Sequence, residues 1–281
     1  MEMEMGITIH GLVTGESAVP LHSLFVNMVL DLRIEEREKF RPFAYKEVIR
    51  WPDGSVTDGK WSPIPIWYIK GADKKILVDT SFNSVEHVAE VRSARGEVFI
   101  LRREPRWEIR NALSTVGVKP EDIDIVIHTH LHWDHCGNDG LFTKASFIAQ
   151  REELALALTP PPYALHYQKE LTKGILDVLD RFRTINGDVT IVDGVELWKL
   201  GGHTPGSMAV AVKTDVGLVA LIGDVIGDYK NLELNWPGPA GNYWSLDQLV
   251  KAYRLVKKKA DIIIPGHDWK VWSLHPEGKI G

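Results

Sequence analysis

Cysteine is nearly absent: Cys136 is the one thiol in 281 residues. That excludes a disulfide framework and makes the cytoplasm the expected location. No apolar run approaches the ~20 residues of a membrane span. The opening MEMEMG carries acids where a secretory signal has a basic stretch and an apolar core, so neither export nor a membrane is expected. Basic excess is missing too. With 33 Lys+Arg against 38 Asp+Glu, the chain lacks the positive footprint of a nucleic-acid binder. Short repeats, low-complexity segments and an interdomain linker are also wanting, so a single domain over 1–281 is expected. The 44% of hydrophobic residues is enough for a substantial core.

What the chain does have is histidine in one place. HTHLHWDHCGN sets His130, His132, Asp134 and His135 within six residues, directly after the apolar run Ile123–Ile127. Such a run reads as a short buried strand, which puts the cluster on the loop at its C-terminal end. Four metal-ligand side chains there point to a divalent metal. Cys136 beside them reads as a small buried packing residue.

Elsewhere the pattern alternates short strands and a few helices. Residues 7–13 read as an edge strand and Leu21–Leu32 as a second strand; 33–62, with Trp-Pro-Asp-Gly at 51–54, reads as an excursion and a candidate dimer contact. Ile64–Ile69 and Lys75–Asp79 form a hairpin pattern. A helix is expected over 106–117, stopped by Gly117, and another over 151–158 after the strand Ser146–Ala149. Leu171, Ile175, Val178, Leu179 and Phe182 predict a helix over about 165–183 that packs on the core, within a stretch, 159–183, that is also a candidate lid. Strands follow at 189–192, 195–200, 208–212 and 218–222. Ser245 and Gln248 then cap a helix with Leu246, Leu249, Val250, Tyr253 and Val256 on its buried face, and Ala260–Ile264 is the last strand.

Three further candidate ligands occupy the same kind of place as the first cluster. His203, Asp224 and His267 each follow an apolar strand and lie in or beside a glycine-containing turn, which permits close loop approach. Five histidines and two aspartates exceed one tetrahedral zinc site and suit two metals sharing a carboxylate. His128 reads as a strand-end core residue, and His10, His22, His87, His166 and His275 as surface or packing residues.

HxHxDH, then Gly-His-Thr-Pro-Gly, then Gly-Asp, then Pro-Gly-His is the ligand order of the metallo-β-lactamase superfamily, which this chain resembles over about residues 60–270. The resemblance implies an α/β fold, an αββα four-layer sandwich with the site at one edge between the sheets. It implies that His130, His132 and His203 hold a first metal, Asp134, His135 and His267 a second, and that Asp224 bridges them. HLHWDHCGNDGLF, FIAQREELALAL and DGVELWKLGGHTPGS look like the N-acyl homoserine lactonase branch, as does the short stretch of fourteen residues after His267. In that branch a tyrosine three residues after the bridging aspartate polarises the carbonyl; Gly227 stands there in this chain, with Tyr229 as the candidate replacement.

The expected activity is therefore ring opening of a small-molecule lactone, N-acyl homoserine lactones in the first place, which would quench quorum signals. Two divalent ions ~3.5–4 Å apart lower the pKa of a shared water toward 7, and the resulting hydroxide would attack the carbonyl. Asp134 would carry the proton. Zinc is the first expectation for the metal, with iron, cobalt or manganese as alternatives. Asp79 and Asp268 are candidates by position for orienting the imidazoles. Another lactone, a thioester, a cyclic amide or a phosphodiester remains open as substrate, and a mononuclear-iron persulfide dioxygenase is the alternative from another class.

Overall fold

The computed structural model describes residues 6–20, 47–51, 54–97 and 100–281. The strand expected at Leu21–Leu32 and the first part of the 33–62 excursion lie outside the described residues. The described chain holds β1 (Thr8–Pro20), β2 (Glu47–Arg50), β3 (Val56–Lys70), β4 (Ile76–Val78), β5 (Leu101–Arg102), β6 (Ile125–Ile127), β7 (Ser146–Gln150), β8 (Phe182–Ile185), β9 (Val189–Val192), β10 (Val195–Lys199), β11 (Met208–Thr214), β12 (Gly217–Leu221), β13 (Ile262–Ile264) and β14 (Lys279–Ile280). One sheet runs β14-β1-β3-β4-β6-β7-β8, with β2 on β3 and β5 on β1; the other runs β13-β12-β11-β10-β9.

The strands alternate between two buried faces, as period-two geometry requires. Trp67, Ile69, Ile76, Val78, Ile127 and Ile148 of the first sheet meet Val195, Leu197, Met208, Val210, Val212, Val219 and Leu221 of the second in the central core. Their neighbours in sequence, Ile66, Tyr68, Leu77, Val126 and Phe147, face out and are covered by Ile109, Ala112 and Leu113 of the helix Ile109–Ser114. Ala209, Ala211 and Ala220 on the far side of the second sheet are covered by Leu249, Ala252, Tyr253 and Val256 of the helix Leu246–Lys259. This is the expected four-layer αββα sandwich. Burying each of these large aliphatic side chains contributes about 1.5–3 kcal/mol before ordering costs.

Five local expectations change. Residues 7–13 belong to an interior strand, since β1 pairs with β14 on one side and β3 on the other. The end of the supposed excursion, from Val56, is the first half of β3. Pro63 and Pro65 sit in this strand because the β1–β3 register shifts between Val13 and Glu16, the kind of irregularity that accommodates proline. Thr14 Oγ1 closes that gap by donating to Ile64 O at 2.7 Å. The helix over 165–183 is instead short turns, a helix Lys173–Asp177 and the strand β8. Leu171, Ile175 and Val178 are buried as expected, while Leu179 is exposed. Finally, β13 is followed by β14, and Leu246 lies on the exposed side of its helix.

Candidate metal centre

Four strands of the two sheets end at one edge of the sandwich, and each delivers donors there. β6 leads into the loop and short helix holding His130, His132, Asp134 and His135. β10, β12 and β13 lead to His203, Asp224 and His267. Met208 N–H donates to Thr129 O at 2.9 Å and ties the two sheets together at this edge. Gly266 is needed as glycine, because a Cβ there would lie 2.7 Å from Gly223 O and 2.9 Å from Asp224 Oδ1.

All seven expected donors converge. His130, His132, His203 and Asp224 form one group and Asp134, His135 and His267 a second, the donor atoms within each lying within 4.8 Å of one another. His132 Nδ1 is 3.0 Å from both His130 Nε2 and His203 Nε2. The two oxygens of Asp224 divide between the groups. Oδ2 is 3.5 Å from His203 Nε2 and 3.9 Å from His130 Nε2, whereas Oδ1 is 2.9 Å from His267 Nε2 and 3.4 Å from His135 Nε2. Asp134 Oδ2 lies 3.7 Å from His135 Nε2 and 3.8 Å from His267 Nε2.

The far side of the imidazoles is fixed. His203 Nδ1 pairs with Asn242 O at 2.7 Å and His267 Nδ1 with Pro63 O at 2.8 Å, so each Nδ1 donates and each Nε2 keeps its lone pair toward the cluster. His135 Nδ1 pairs with Asp79 Oδ2 at 2.8 Å. Asp79 also accepts from Thr129 N and Thr129 Oγ1, each at 2.8 Å, and so holds the histidine loop from beneath as its position suggested. Asp79→Asn should weaken metal binding about 10–100-fold without unfolding the chain, since Asn tolerates the left-handed backbone that Asp79 adopts. Competition with a chelating dye measures this, and unchanged affinity would remove Asp79 from the support.

Burial pushes His130 and His132 well below the usual imidazole range, and neighbouring imidazoles add to it. Burial acts the same way on His135 and His267, but the carboxylates outweigh it: Asp79 and Asp134 raise His135, and Asp224 raises His267. His128 is buried between Phe147 and Phe182, with Nε2 3.2 Å from Asp139 Oδ2, and is raised to about 9 against the burial effect. It is the core residue expected. Cys136 is fully buried, donates to His132 O at 3.1 Å and stands outside both donor groups; burial pushes its thiol up, as an inert packing residue requires.

Two expected residues are placed elsewhere. Tyr229 opens the helix Tyr229–Glu233 and packs against the central core, with its hydroxyl buried and no hydrogen-bond partner among the described residues. It does not line the cavity above the donors. Asp268 accepts from Tyr229 N at 2.8 Å and Lys270 N at 2.9 Å, so it fixes the backbone around the helix Lys270–Leu274 rather than an imidazole.

Three residues carry more than their sequence context signals. Glu153, fully buried on the helix Arg151–Leu158, accepts from Leu131 N at 2.9 Å, Tyr167 Oη at 2.6 Å, Thr204 Oγ1 at 2.7 Å and Gly206 N at 3.0 Å. One carboxylate thus clamps the His130–His132 loop to the His203 loop. Its signal in the sequence is an acid on the helix face that also carries Leu154 and Ala157. His166, with its ring centroid 4.8 Å from that of His132, lines a cavity of about 310 Å³ over the donors, as does Lys60. The same cavity is walled by Ala18, Val19, Trp51 and Trp133.

A sandwich of this form with a two-group donor set at its edge defines a class, and the comparisons agree with it. The metallo-β-lactamase superfamily model matches residues 59–267. The chain belongs to that superfamily and is a metal-dependent hydrolase of it. Among relatives, it is 31% identical over 223 residues to the N-acyl homoserine lactonase AiiA of Bacillus thuringiensis subsp. kurstaki, covering 77% of this chain and 86% of the other. In fold it is similar to a B. thuringiensis AiiA variant with N-decanoyl-L-homoserine bound at its active site, with a TM-score of 0.70, 23% identity and 96% of each chain covered. It is also similar in fold to AidC, a dizinc quorum-quenching lactonase in complex with a product, with a TM-score of 0.68, 17% identity, and 94% and 88% coverage.

Proposed function

We propose that the chain is a two-metal hydrolase that opens lactone rings, with N-acyl homoserine lactones as the preferred class. The observation that carries the reading is Asp224, whose two oxygens face two separate groups of imidazoles. His135 Nε2 and Asp224 Oδ1 are buried with no hydrogen-bond partner among the described residues, which suits donors that bind cations. His130, His132 and His203 would hold one ion, Asp134, His135 and His267 the other, and Asp224 both. The ions would supply a water activated at neutral pH and positive charge for the carbonyl.

The protein's residues do the rest. Asp134, at the cavity side of the cluster, takes the proton of the attacking water and returns it to the leaving alkoxide. Ala18, Val19, Trp51 and Trp133 offer apolar walls for an acyl chain and keep water from the reacting carbonyl. The relatives named as N-acyl homoserine lactonases support this choice of substrate. A hydrolysis screen of metal-loaded protein against lactones, thioesters and phosphodiesters tests it. Lactones should turn over fastest, and turnover of a phosphodiester with no lactone opened would defeat the reading.

Acid should empty the site in order. Metal binding requires neutral imidazoles, so protons compete most where the imidazole pKa is raised. The carboxylates of Asp79 and Asp224 raise His135 and His267 above the ordinary imidazole range, so the Asp134–His135–His267 group should lose its ion first as pH falls. His130, His132 and His203, all lowered by burial, should hold theirs to lower pH. Metal retained after dialysis across a pH series reads this directly; simultaneous loss of both ions would contradict it.

A further inference from the structure

We propose that His166 donates a hydrogen bond to the substrate's scissile carbonyl oxygen and to the negative charge it gains on attack, a contact that rests on the hydrolase reading above. His166 lies in the short turn Leu165–Tyr167, and its half-buried imidazole borders two cavities. One, of about 310 Å³, covers the donors; the other, of about 350 Å³, shares walls with it. His132 and His203 line both, whereas Asp134, Asp224 and His267 line the first and not the second. His166 therefore stands at the His130–His132–His203 end of the cluster, with its ring centroid 4.8 Å from that of His132. Its neighbour Tyr167 anchors the turn there, donating to Glu153 Oε1 at 2.6 Å and packing its ring 4.8 Å from that of His132.

Neither ring nitrogen of His166 has a hydrogen bond among the described residues. Phenylalanine would stack on His132 as well and leave no polar atom unpaired. An imidazole carries at least one N–H in either protonation state, and with neither nitrogen committed the tautomer can follow the substrate. The path of the proton assigns the oxygen that His166 meets. Asp134 returns it to the leaving alkoxide, so that oxygen departs at the Asp134–His135–His267 end. The carbonyl oxygen on the same carbon then points to the opposite end, where His166 stands. No tyrosine is among the described residues of that wall. Tyr229 packs in the core, and a Cβ on Gly227 would meet Ala240 N at 3.0 Å.

The step balances with water as the only co-reactant. The water oxygen bonds to the acyl carbon, its proton passes to Asp134, and the carbonyl π pair moves onto the oxygen that His166 holds. The pair then returns, the ring C–O bond breaks, and the proton goes to the alkoxide, leaving a hydroxy acid. His166 keeps its proton throughout.

The test uses zinc-loaded full chain as wild type, His166→Phe, which keeps a ring against His132, and His166→Gln, which keeps an N–H donor. Three quantities are read: kcat and KM for N-hexanoyl homoserine lactone, the Kd of its ring-opened hydroxy acid, and zinc per chain. With zinc unchanged, His166→Phe should lose about 10²–10³-fold in kcat and bind the carboxylate about tenfold or more weakly. His166→Gln should recover much of both. A plain γ-lactone, which has no amide, should show the same loss in His166→Phe. A loss confined to the amide-bearing lactone, or a raised KM with kcat unchanged, would overturn the proposal by placing His166 on the acyl chain. Wild-type kcat and Kd in His166→Phe would overturn it outright. Loss of zinc from that variant would overturn it as well, since holding His132 would then be the role. If the wild type opens no lactone, the hydrolase reading fails by itself. The carboxylate Kd then decides His166 alone, with equal affinity in wild type and His166→Phe counting against it.

Discussion

Asp224→Ala should abolish hydrolysis, by roughly three orders of magnitude or more, and leave at most one ion per chain. The size of the effect follows from the division of its oxygens, Oδ1 2.9 Å from His267 Nε2 and Oδ2 3.5 Å from His203 Nε2. No other carboxylate among the described residues has its oxygens divided between the two groups in this way, so its loss would remove a shared negative charge and the spacer between the ions. The carboxylate is held well below the usual range: burial opposes this, but the imidazoles of His267 and His135 prevail. It is therefore ionised wherever the enzyme would work. Alanine fits the same backbone, so circular dichroism should stay unchanged. Elemental analysis beside the activity assay checks the prediction, and two ions retained with full activity would remove Asp224 from the bridge.

Glu153→Leu should destabilise the protein by on the order of 3–5 kcal/mol and weaken metal binding as well. A buried carboxylate is costly by itself, but here four donors, from Leu131, Tyr167, Thr204 and Gly206, satisfy it. Leucine is similar in size and satisfies none of them, so each is left buried at a cost of about 1–3 kcal/mol, partly relieved by relaxation. The damage reaches the metal centre because Leu131 stands between two ligands and Thr204 follows a third. Glu153→Gln keeps one oxygen and should fall between wild type and leucine in both melting temperature and metal affinity. A leucine variant that melts with the wild type and keeps its zinc would show that the clamp carries nothing.

The donor set was readable because every ligand follows a short apolar strand within a recognisable loop, and strands that pair in one sandwich bring such loops to one edge. The sheet core was readable for the same reason: alternation in Ile66–Trp67–Tyr68–Ile69 marks two buried faces. The stretch 165–183 misled because Leu171, Ile175 and Val178 keep helical spacing while making only a short helix; Phe182 then pairs with Phe147 as a strand. Spacing alone does not show whether the intervening turns continue. Prolines at 63 and 65 hid the length of β3, since the register shift that tolerates them belongs to its partner β1. Glu153 was hidden in the same way. Its role comes from partners such as Thr204, 51 residues away, and no local pattern records such pairings.

The seven donors should bind two ions in one site. Zinc counted per chain, after loading and removal of excess metal, tests this most directly. Two ions per chain are expected; a single tightly held ion, above all one iron in the protein as purified, would contradict the two-metal site.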